Sequence, residues 1–175
     1  VAGHPDASWR LIPLIGGVAS SSKRPRSDAH DLFIVAMGPG ICLGLSAICL
    51  TYAALYPGTP LGDYAALLGR VSSLINFLNL LPIFPLDGGR FFLLTVGRIA
   101  PGLAMTGLRL IAAAMLLWGI IGGNALLFLF GMISLLTLTR VTPSQGARQL
   151  SPGEVWLGLG AWAAMLGSFG LGAGF

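Results

Sequence analysis

The sequence predicts an all-α polytopic membrane protein: about five transmembrane helices, with a short interfacial β segment near the N-terminus. Three observations carry this. Only 9% of the 175 residues are charged and the mean hydropathy is +0.84, whereas a soluble domain carries about 25% charged residues. Such a chain has too little polar surface to coat a water-soluble globule. Residues 32–62, 110–139 and 155–175 contain no Asp, Glu, Lys, Arg or His, and about 20 apolar residues cross about 30 Å of hydrocarbon. Finally, the basic residues gather at alternate ends of the apolar runs.

Residues 1–31 form a first region, expected as a cytoplasm-side, membrane-associated segment. It holds both histidines, His4 and His30, and the cluster Lys23-Arg24-Pro25-Arg26. The stretch Trp9–Val18 is apolar but interrupted by Pro13, Gly16 and Gly17. It is too short and broken to span as a helix and reads as a strand or strand pair at the membrane interface.

Residues 32–175 form the helical domain. A first span is expected at about 32–56, kinked or opened at Gly38-Pro39-Gly40. Tyr56-Pro57-Gly58-Thr59-Pro60 is a turn. A second span, about 64–83, ends in Pro82-Ile83-Phe84-Pro85, which cannot continue as a regular helix. Residues 88–102 read as a connector. Two short spans, 105–121 and 124–139, are joined at Gly122-Gly123-Asn124. Residues 140–154 are a polar loop, and 155–175 are a last, Gly-rich span suited to helix packing. Cys42 and Cys49 lie two turns apart on one helix face, too distant for a disulfide.

The net charge of +4 and the sequence pI near 9.7 reflect topology rather than nucleic-acid binding. Lys23, Arg24 and Arg26 precede the first span, and Arg90, Arg98 and Arg109 follow the second. Arg140 and Arg148 follow the fourth, while the turns between have no Lys or Arg. The positive-inside rule then puts the 1–31 region, the loop at Asp87 and the 140–154 loop on the cytoplasmic side.

The chemistry is concentrated in Asn76–Arg90. Prolines at 82 and 85 remove backbone donors and leave carbonyls unpaired. Such backbone is tolerated at membrane depth only where protein or a wet cavity surrounds it. A carboxylate there, Asp87, is a functional candidate. Gly88 and Gly89 allow close backbone approach. The competing reading is an ordinary exit turn in which Asp87 pairs with Arg90.

Asn79-Leu80-Leu81-Pro82-Ile83-Phe84-Pro85-Leu86-Asp87-Gly88-Gly89 resembles the Asn-x-x-Pro-x-x-Pro-x-Asp-Gly motif of the site-2 proteases, which are intramembrane zinc metalloproteases. Gly3-His4-Pro5-Asp6-Ala7 with Ile12–Gly17 resembles the stretch following that family's HExxH helix. Ala36-Met37-Gly38-Pro39 resembles its Ala-Gly-Pro element, although Cys42 stands near the place of the usual Asn. Together these pieces cover about residues 1–100. The resemblance implies Zn²⁺ as cofactor, with Asp87 as a metal ligand and Asn79 as a catalytic helper for substrate or oxyanion. Pro82, Pro85, Gly88 and Gly89 would support the motif. The chain lacks HExxH. Its matching position falls just before Val1, so the chain is expected to be the C-terminal, larger part of such a protease.

The expected function is zinc-dependent hydrolysis of a peptide bond in a transmembrane protein or peptide, within the lipid bilayer of a bacterial or archaeal cell membrane. The alternative is a non-enzymatic multi-pass membrane protein or an inactive relative lacking HExxH. A serine intramembrane protease is excluded: Gly44-Leu45-Ser46-Ala47 lacks the second glycine of a nucleophile motif, and no histidine follows His30.

Overall fold

The computed structural model describes residues 8–12, 16–20, 27–141 and 149–174. Two strands, β1 (Ser8–Ile12) and β2 (Gly16–Ser20), pair antiparallel with Trp9 opposite Ala19 and Leu11 opposite Gly17. Six helices follow: α1 (Asp28–Leu55), α2 (Pro60–Asn79), α3 (Asp87–Ile99), α4 (Pro101–Ile121), α5 (Ala125–Leu138) and α6 (Pro152–Ala173). The body of the protein is therefore all-α. His4 and Leu14 lie outside the described residues.

Local chemistry sets most of the helix ends. Ser27, in extended conformation, caps α1 by accepting from the His30 N–H at 3.1 Å. Asp28 and Asp31 in the first turn add favourable charge at the positive end of the helix dipole. Thr59 caps α2, with Pro60 at the first helical position. Asn124 caps α5 by accepting from Leu126 and Leu127 N–H, both at 3.1 Å. Ser151 and Glu154 form a reciprocal capping box that starts α6.

Several boundaries differ from the expectation; α2 and α4 start at Pro60 and Pro101, four residues before the expected 64 and 105. The second helix stops at Asn79, not near residue 83, because Pro82 and Pro85 supply no N–H to continue the ladder. The connector expected over 88–102 is mostly helix α3, which begins at Asp87. With the preceding backbone already turned by the two prolines, the sequence from Asp87 is free to coil, and its hydrophobic face packs on neighbouring helices. The first helix begins at Asp28 and remains α-helical through Pro39.

α1 packs along α2, and α6 lies against α2, α1 and α3. The core joins Leu32 and Val35 of α1, Phe91 of α3, Leu150 just before α6, and Val155 near its start. The α4–α5 hairpin packs on this bundle through α3 and α4. Its two helices approach closely at glycines: a Cβ on Gly131 would come within 2.6 Å of the Leu116 nitrogen.

α1, α4 and α6 are long and apolar enough to cross a membrane; α5, at 14 residues, is shorter, and α2 carries Asp63 and Arg70. Large apolar side chains lie open on the outside. Leu157 and Leu171 are 77% and 79% exposed, and Ile121 is 72% exposed. An apolar exterior on this scale is far beyond that of a soluble monomer and suits contact with lipid.

Candidate functional site

The site is assembled where α2 stops and α3 starts. Asn79 is the last residue of α2 and Asp87 the first of α3. The intervening turn brings them together: Asn79 Nδ2 donates to Asp87 Oδ2 at 2.7 Å. The turn is held by short backbone bonds, from Ile83 N–H to the Leu81 carbonyl at 2.7 Å and from Leu86 N–H to the Ile83 carbonyl at 2.9 Å. Pro82 and Pro85 are both half-buried in it, with a cis peptide bond between Phe84 and Pro85.

Gly88 and Gly89 are buried against this turn. A Cβ on Gly88 would fall onto the Leu80 and Leu81 carbonyls, and one on Gly89 would come within 2.7 Å of Ile83 and Phe84 backbone atoms. The two glycines therefore let the start of α3 seat directly on the proline turn, which sets the distance between Asn79 and Asp87.

Gly38 of α1 faces the carboxylate. A Cβ built on it would stand 3.7 Å from Asp87 Oδ2. Gly38 lies ten residues beyond Asp28, about 15 Å along the helix axis. The glycine of the Ala-Met-Gly-Pro element and the Asn and Asp of the proline motif thus meet at one point, although Gly38 and Asn79 are 41 positions apart in the chain.

Arg90 does not occupy Asp87. Its Nη2 forms an ion pair with Asp31 Oδ1 at 2.8 Å, so the exit-turn reading with an Asp87–Arg90 pair does not describe the site. Burial pushes the Asp87 carboxyl above its ordinary range, while the charge of Arg90 and the hydrogen bond from Asn79 pull the other way. Asn76 is buried and donates to the Ser72 carbonyl at 2.8 Å, a bond within its own helix. His30 sits half-buried in the first turn of α1. Cys42 and Cys49 are free thiols.

Trp162 of α6 was not singled out by its sequence context. Its Nε1–H donates to the Leu80 carbonyl at 2.9 Å. The same Gly- and Ala-rich helix also carries Trp156, and nothing in the local sequence tells which indole reaches inward.

Asp87 is held on one oxygen by an amide, lies next to a glycine face and, among the described residues, forms no ion pair. Among the described residues, however, no group of three His, Cys, Asp or Glu is placed to hold a metal ion. No protein-family model matches the chain, and no curated protein and no solved structure matches it.

Proposed function

We propose that this chain belongs to an intramembrane zinc-dependent endopeptidase resembling the site-2 proteases. Asp87 is one metal ligand and Asn79 its polar partner. The observation that supports this best is the convergence of Asn79, Asp87 and Gly38, three residues drawn from two separate motifs, on a single carboxylate.

A catalytic zinc site uses three protein ligands and keeps a fourth position for water. The described residues offer one ligand, so the proposal requires two more from outside them. When bound, the metal supplies a water of lowered pKa. The chain's own residues supply position. Asn79 fixes the rotamer of Asp87 through Oδ2. Gly38 keeps the space before that oxygen free of side chains. In this reading the Asn79 amide also donates to a substrate carbonyl in place of Asp87.

The reading places the protein in the lipid bilayer of a bacterial or archaeal cell with α2 and α5 as further spans beside α1, α4 and α6, and with the Asp87 turn toward the cytoplasm. The substrate is a transmembrane protein or peptide. A helical substrate hides its carbonyls in hydrogen bonds and must unwind before attack. The β1–β2 hairpin offers an edge on which the unwound segment can add as a strand.

The test is metal analysis and a cleavage assay on the full-length protein, wild type against Asp87→Ala. The variant is expected to lose zinc and activity together. Full zinc content with unchanged cleavage in Asp87→Ala would remove Asp87 from the site, and a wild type with neither zinc nor cleavage would sink the assignment and leave a non-enzymatic multi-pass membrane protein.

A further inference from the structure

We infer that Trp162 is a positioning residue for the Asn79–Asp87 pair, acting from α6 through the Leu80 peptide group. The inference rests on the protease reading for its functional consequence, but its geometry stands apart from any metal.

The need for such a residue follows from the prolines. Where α2 ends, its last carbonyls have no N–H from the next turn to accept, and Pro82 and Pro85 supply none. A buried carbonyl without a donor is unfavourable. Leu80 is 0% exposed, so water cannot serve it. The Trp162 Nε1–H reaches its oxygen at 2.9 Å across 82 residues of sequence.

The same carbonyl is what Gly88 rests against. The Leu80 peptide is thus held between the indole of α6 and the first turn of α3. Its chain neighbour on one side is Asn79, and the neighbour of Gly88 is Asp87. Fixing Leu80 against Gly88 therefore fixes the two residues whose side chains meet at 2.7 Å. Without the indole donor, the Leu80 carbonyl turns toward another partner; that peptide joins Leu80 to Leu81, so its rotation shifts the seat of Gly88 and the end of α2 that carries Asn79. Residues that orient a metal ligand from behind typically change metal affinity by about 10–100-fold when lost.

The test has two arms. The first uses the chain without added metal, ¹⁵N-labelled at asparagine in detergent micelles. In the wild type the Asn79 side-chain amide, bonded to a carboxylate, is expected well away from free-asparagine positions. Trp162→Phe should move it toward them with helicity unchanged. Trp156→Phe, a change on the same helix at a residue 67% exposed, should leave it in place. The second arm measures Zn²⁺ affinity of the full-length protein. Trp162→Phe is expected to weaken it about tenfold, against complete loss in Asp87→Ala.

An Asn79 amide that does not move in Trp162→Phe overturns the inference. A moved amide together with undiminished Zn²⁺ binding by Asp87→Ala upholds the positioning role and rejects the protease reading. Should Trp162→Phe fail to fold, benzothienylalanine at 162 keeps the ring shape without the N–H, and the same shift of the amide is expected.

Discussion

Arg90 reaches across 59 residues to pair with Asp31, at 2.8 Å, rather than with the carboxylate three positions before it. This ties the first turn of α3 to the first turn of α1 and leaves Asp87 to Asn79. The pair is partly open, with side chains 42% and 22% exposed, so solvent screening limits its strength to about 1 kcal/mol or less. Arg90→Ala and Asp31→Ala should each lower the midpoint of thermal unfolding slightly. The double variant should cost less than the sum of the two. The charge-swapped pair, Asp31→Arg with Arg90→Asp, should recover only part of the loss, because an arginine at 31 stands at the positive end of the α1 dipole. A double-mutant cycle measured at low and high salt checks all three.

Gly88→Ala should be among the most damaging single-methyl additions in this protein. The new Cβ would overlap the Leu80 carbonyl, which is backbone and cannot swing aside. Overpacking of this kind costs about 1–3 kcal/mol. At Gly40 and Gly44 of α1, nothing lies within 4 Å of a Cβ, so alanine there should be neutral or stabilising by about 0.4–1 kcal/mol. Unfolding of the three variants in mixed micelles gives the order. A Gly88→Ala protein as stable as wild type contradicts the contact.

Asn79→Ala removes the amide that holds Asp87. In the full-length protein, cleavage should fall by about 10²–10³ if that amide also serves a developing oxyanion. Asn79→Asp should do no better, since it sets a second carboxylate where the first now accepts a hydrogen bond. Wild-type turnover in Asn79→Ala would remove Asn79 from the chemistry while leaving Asp87 untouched.

The α4–α5 hairpin should be separable from the site. Gly131→Val puts bulk against the Leu116 nitrogen and the Ala112 carbonyl, at a cost of about 1–3 kcal/mol. Because α5, which carries Gly131, packs on α4 and not on α2 or α3, the Asn79 amide should keep its wild-type position in the ¹⁵N spectrum. A shift as large as that of Trp162→Phe would show that the hairpin supports the site directly.

Composition and punctuation alone determined a great deal here. Charge-free runs marked α1, α4 and α6, because lipid tolerates few charges and a helix is the only way an isolated segment satisfies its backbone there. Gly122-Gly123-Asn124 marked the α4–α5 turn, where Gly123 has a φ of 62° that favours glycine. The proline pair marked the end of α2, and the motif named Asn79 and Asp87. Tertiary structure decided what these residues touch. Whether Asp87 met Arg90 or Asn79 depended on Asp31, far away in the chain. The role of α6 depended on one indole reaching a carbonyl 82 residues earlier. The sequence of α3 reads as a connector because its arginines, glycines and apolar residues show a helix only when the apolar face has the bundle to lie on. Such contacts join residues distant in sequence, and no local pattern records which of several possible partners is nearest in space.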